Sequence, residues 1–169
     1  MKTLHYFVIV TLSLALGACS LGGPLRKDEK ASSYKMGSLP AEWIRQSDKD
    51  GSNADVSFVN SKRGAVIALS SICKRYDRVP LEQLKADLVN PLEGHEVLSE
   101  ERRPLDDREA LYTRARGKLD GVPVESSLVV LRKNDCIFDF SIFAREKISA
   151  EDNKAFVDFV NGFHFVGGQ

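Results

Sequence analysis

The chain has 169 residues, 24 basic and 24 acidic side chains, and 43% hydrophobic residues. That length builds one ordinary core, and a formal net charge of zero excludes the basic footprint of a nucleic-acid binder and any strong overall field toward anionic lipid.

The first element is apolar. Lys2 supplies a positive charge, and Leu4 to Leu16 is mostly hydrophobic, shorter than the roughly 20 residues a membrane-crossing helix needs. Leu16-Gly17-Ala18-Cys19 then resembles the lipobox of bacterial lipoproteins. The resemblance implies a signal peptide over residues 1–18, removed before Cys19, and diacylglycerol on the Cys19 thiol. A further acyl chain on the new amino terminus is usual in that family. Two or three chains, at about 0.8 kcal/mol per buried CH2, hold a protein on a membrane unaided. Ser20 follows the cysteine in place of an inner-membrane-retaining Asp, which implies the outer membrane, facing the periplasm, in a diderm host. An ordinary secretory cut after Ala18 is the alternative. Residues 19–40 read as the lipidated start and a flexible linker, because Gly, Pro, Ser and mixed charges show no sustained period. Residues 41–169 read as a single globular α+β domain.

Two strands, "DVSFVN" and "AVIALSSIC", flank "SKRG", whose Gly64 suits a hairpin turn. A helix follows Pro80, with Leu81, Leu84 and Leu88 on one face, and stops at Asn90-Pro91. "HEVLSEERR", "EALYTRARGKL" and "VPVESSLVVLRK" come next, the last two joined by the hairpin signal Asp120-Gly121. "KND" turns into "CIFDFSIFA". Ser149 with Asp152 then resembles a capping box, opening a helix with Phe156, Phe159, Val160 and Phe163 on one face. The order ββ-α-ββββ-α predicts a mainly antiparallel sheet of about six strands packed against helices.

That order resembles the PsbP-like group, including the DcrB-type bacterial lipoproteins and the lumenal extrinsic protein of photosystem II. Trp43, the helix after "SSICKRYD" and the terminal "FVDFVNGFHF" helix carry the resemblance over about residues 40–165. It implies an α/β/α sandwich and a non-catalytic envelope or accessory role. No catalytic residues and no cofactor come with it.

Cys73 and Cys136 remain after Cys19. An exported domain folds where disulfides persist, and an even remainder is what a bridge requires. Each closes or opens a strand and shares parity with apolar residues. A bridge closing a loop of about 60 residues would stabilise by roughly 4 kcal/mol. Two separate buried thiols are the alternative. No C-x-x-C pair points to redox catalysis.

Other sites are weaker. "DKDGSNAD" opens like a calcium loop with Asp48, Asp50 and Ser52, but Asn53 and Val59 stand where the loop wants Gly and Glu, so a polar connection is the better reading. His95 and His164 lack ligand spacing to the cysteines, so no metal site is assigned, and His164 reads as the end of the last helix. Glu100-Glu101 and Asp106-Asp107 read as solvated edges and turns. Arg114, Arg116 and Lys118 line one strand face, a solvated stripe or a surface for an anionic partner. The reading that results is an envelope lipoprotein acting as a binding or assembly module with a protein partner. The alternative is a carrier or sensor of a small apolar or lipid ligand.

Overall fold

The computed structural model describes residues 34–47, 54–73 and 79–166. The expected signal peptide over 1–18, Cys19, the expected linker up to residue 33, and Asp48, Asp50 and Ser52 of the calcium-loop-like stretch lie outside the described residues. The elements are β1 (Tyr34–Lys35), β2 (Trp43–Arg45), β3 (Val56–Asn60), β4 (Val66–Cys73), α1 (Leu81–Val89), β5 (Glu93–Leu105), β6 (Arg108–Leu119), β7 (Val122–Lys133), β8 (Cys136–Arg145), α2 (Ala150–Asn161) and β9 (His164–Phe165). The fold is α+β. Seven strands form one antiparallel sheet in the order β2-β3-β4-β8-β7-β6-β5, and β1 pairs with β9 in a separate two-stranded ribbon.

The expected strands and helices are all present, joined by β2 and the β1–β9 ribbon. Two-residue strands carry too little pattern to be read in advance. Tyr34 to Leu39, the last part of the expected linker, pack on the domain: Tyr34 pairs with Phe165, and the Gly37 N–H donates to the Phe159 carbonyl at 3.0 Å.

Strand parity sets the two faces. Phe138, Phe140 and Ile142 of β8 are fully buried with Ile67 and Leu69 of β4 under Phe156, Phe159 and Val160 of α2. The opposite face carries α1: Leu81 packs with Leu111 and Val130, and Val89 with Ala115 and Leu128. β7 is therefore covered on both sides, which explains the continuous run Leu128-Val129-Val130-Leu131 in place of alternation. Helices on both faces make the layers α/β/α.

Three turns fix the register of the long strands. Asp106-Asp107, Asp120-Gly121 and Asn134-Asp135 each hold positive φ at both residues, the conformation two-residue hairpins need to follow strand twist. Ser149 caps α2 as its spacing predicts, its hydroxyl accepting from the Asp152 N–H at 3.0 Å. At the other end of α2 the chain of residues 36–38 crosses closely. A Cβ on Gly162 would lie 2.4 Å from the Gly37 Cα, so only glycine fits there.

Candidate functional site

The cysteine pair is built by the β4–β8 ladder. Cys73 stands opposite Cys136 with Cα atoms 4.0 Å apart, and their sulfurs are bonded. Three strands and a helix lie between them in sequence, so the bond joins the second strand of the first hairpin to the strand on which the chain returns. Its surroundings are the apolar core under α2, which marks it as structural.

Asp106 departs from the solvated-turn reading. Its side chain is 5% exposed. It accepts from Lys133, from the Phe165 N–H at 2.9 Å and from His164 Nδ1 at 2.7 Å. Burial pushes its carboxyl up, but the hydrogen bonds from Lys133, Phe165 and His164 outweigh burial and hold it below the ordinary aspartate range. His164 accordingly sits in β9, past the end of α2, where it helps tie the ribbon to the β5–β6 turn. A side chain's neighbours in a turn depend on which distant segment folds over it, and adjacency in sequence does not show that.

The basic stripe is a solvated face, as expected, with Arg116 and Lys118 exposed and two of its charges paired. Arg114 donates from Nε to Glu125 at 2.7 Å, and Glu125 is itself buried. Arg116 donates to Glu96 at 2.6 Å. The partners come from β7 and β5, so two of the three charges are neutralised by their cross-strand neighbours. His95 lies against the Leu92 carbonyl at 3.2 Å, far from either cysteine in the fold order, and no cluster of metal-binding side chains occurs among the described residues.

A cleft of about 300 Å³ lies between α2 and strands β5 to β7. Val129 and Tyr112 form its floor, while Phe156, Val157 and Val160 of α2 form a wall. The rim is polar. The Arg103 guanidinium lies 3.9 Å above the Tyr112 ring and 3.1 Å from Glu101, and Arg114 is held by Glu125. Burial raises the Tyr112 phenol above its ordinary range, so it stays protonated as a donor. Asn153 and Asn161 add amides from α2. An apolar floor with fixed guanidiniums and amides around it is chemically suited to an amphipathic surface. Sequence reading missed this cleft because its residues come from four elements whose adjacency follows from the strand order.

One titratable group stands apart from the cleft. Asp139, on the α1 face of β8, is pushed up to about 6 by burial and then by the Asp87 charge on α1. Its Oδ1 is buried with no hydrogen-bond partner.

No family model matches the chain, and no curated protein sequence is significantly similar to it. Solved structures are similar in fold. The Saccharomyces cerevisiae Ran-binding protein Mog1p superposes with a TM-score of 0.56 at 17% identity, over 77% of this chain and 89% of that one. The chain shares the fold of Mog1 and PsbP. The cyanobacterial PsbP, CyanoP, of Synechocystis sp. PCC 6803 gives a TM-score of 0.50 at 17% identity, over 85% and 99% of the two chains. LpqN, described as involved in cell envelope biogenesis of Mycobacterium tuberculosis, gives 0.56 at 14% identity, over 82% and 86%. At these identities the likeness establishes the fold. No helix among the described residues is long and apolar enough to cross a membrane.

Proposed function

We propose that this protein is a lipid-anchored cell-envelope module that binds a protein partner without catalysis, its recognition surface being the cleft between α2 and β5 to β7. The observation that carries the reading is the state of the charges around that cleft. Arg103 and Arg114 are each already held by a carboxylate, so they are fixed in orientation and ready to meet a partner's polar groups without rearrangement. The open cleft, with Val157 38% exposed on its wall, suits inserted side chains of another protein better than an enclosed small ligand. Two fold relatives support the reading by what they are called: one is a Ran-binding protein and another is involved in envelope biogenesis.

The anchor is Cys19, in the Leu16-Gly17-Ala18-Cys19 sequence, and the proposed location is the outer membrane facing the periplasm in a diderm. Metabolic labelling with a fatty-acid probe tests it. Wild-type protein takes up label and fractionates with membranes, while Cys19→Ala takes up none; an unlabelled wild-type chain overturns the anchor. Gentle solubilisation followed by affinity purification tests the surface. A partner should co-purify with wild type and be lost from Val157→Arg at unchanged expression, and retention by that variant would move the interface elsewhere.

A further inference from the structure

We infer that the end of the sheet where the N-terminal segment enters the domain docks on anionic phospholipid headgroups through Arg108 and Arg132. The inference rests on the reading of Cys19 as a lipid anchor. Tyr34 pairs with Phe165, whose N–H donates to Asp106 in the β5–β6 turn. The chain thus enters beside the Asp106-Asp107 and Asn134-Asp135 turns, at the end of the sheet opposite the Asp120-Gly121 turn. Fifteen steps of chain separate Tyr34 from Cys19, a reach of at most roughly 50 Å, so the anchor keeps this end within reach of the bilayer and the arginines supply the orientation.

Two neighbouring clefts open at that end, of about 340 and 250 Å³, and both are lined by Arg108 and Arg132. In the first, Arg102 holds both Glu82 and Glu109, which uses the two carboxylates of that cleft. In the second, Lys133 is tied to Asp106. Arg108 and Arg132 have no carboxylate partner among the described residues. With zero net charge on the chain, attraction to an anionic surface has to be local, and these two guanidiniums supply it in a geometry suited to phosphate. Asp135, which itself lines the second cleft, and Asp107 in the adjoining turn keep the end from being polybasic, so the preference for anionic over neutral lipid is about tenfold, not several orders.

The test uses the mature chain on vesicles of phosphatidylcholine, with or without phosphatidylglycerol, read by amide hydrogen exchange. Peptides over Leu105–Arg108 and Arg132–Cys136 should exchange several-fold more slowly when phosphatidylglycerol is present, and the Asp120-Gly121 turn should not change. The effect should vanish in R108Q/R132Q and persist in R116Q/K118Q. Equal exchange on both vesicles overturns the inference, as does an effect that survives R108Q/R132Q, or the same slowing by inorganic phosphate on neutral vesicles. Intact mass separates the anchor from the arginines. If the mature chain carries no acyl group, the anchor reading fails, and flotation of that chain decides the arginine surface alone. Preference for phosphatidylglycerol lost in R108Q/R132Q supports it, and no preference refutes it.

Discussion

At Asp139 a carboxyl sits between Val130 and Ser70 on neighbouring strands, with one oxygen buried and unpartnered and a second acid, Asp87, near it on α1. Burial and then the like charge raise its folded pKa from 3.8 to about 6. Because the folded value lies above the unfolded one, ionisation disfavours the folded state. The penalty is absent below pH 3.8, grows between 3.8 and about 6, and is complete above that. Stability should therefore rise as pH falls from 7 toward 4. Asp139→Asn should stabilise the protein at pH 7.5 by up to about 3 kcal/mol and flatten that rise. Urea unfolding at a series of pH values checks it; an unchanged profile in the variant contradicts the assignment. Asp106 and Asp152 have the opposite sign. Burial raises both, but hydrogen bonds, chiefly from Lys133 on Asp106 and Arg63 on Asp152, hold them low. Their contribution is present above about pH 4 and is lost as pH falls through their folded values. Such partners are invisible in sequence. Arg63 lies 89 residues from Asp152, and Lys133 lies 27 from Asp106.

The second helix shows which parts of an element its own sequence declares. The Ser149 cap, the Asp152 position and the Phe156, Phe159, Val160 face are all local patterns, and all are present in the fold. Ser149→Ala should cost about 1 kcal/mol, measured by thermal unfolding, and a neutral substitution would refute the capping role. The far end of α2 is different. Gly162 looks like an ordinary helix stop, yet its φ is −81°, which any residue adopts. Its real constraint is contact with Gly37, more than a hundred residues earlier. A Cβ on Gly37 would lie 2.1 Å from the Asp158 carbonyl oxygen. Gly162→Ala should therefore destabilise by about 1–3 kcal/mol and speed proteolysis near Tyr34, although alanine is the better helix former. Full stability in that variant would show that residues 36–38 do not pack on α2. The strands were legible for the same reason as the cap, since parity and paired turn residues are local. The short β1, β2 and β9 were not, because two or three residues carry no period.

Across the whole molecule, the Cys73–Cys136 bond and the antiparallel β4–β8 ladder describe one fact, that the chain returns to its first hairpin. The even number of cysteines left after Cys19 and their shared apolar parity made the pair legible, while the neighbouring of β4 and β8 came only with the fold. Cys73→Ser should lower the thermal midpoint by on the order of 10 °C. The central functional proposal is that the α2 cleft, framed by this architecture, meets another protein. Photo-crosslinking from position 157 in the full chain within cells tests that most directly. One discrete protein adduct should form from position 157, lost when Tyr112→Ala removes the floor of the cleft, and none from position 122 at the far turn. Equal adducts from both positions, or none from position 157, would contradict it.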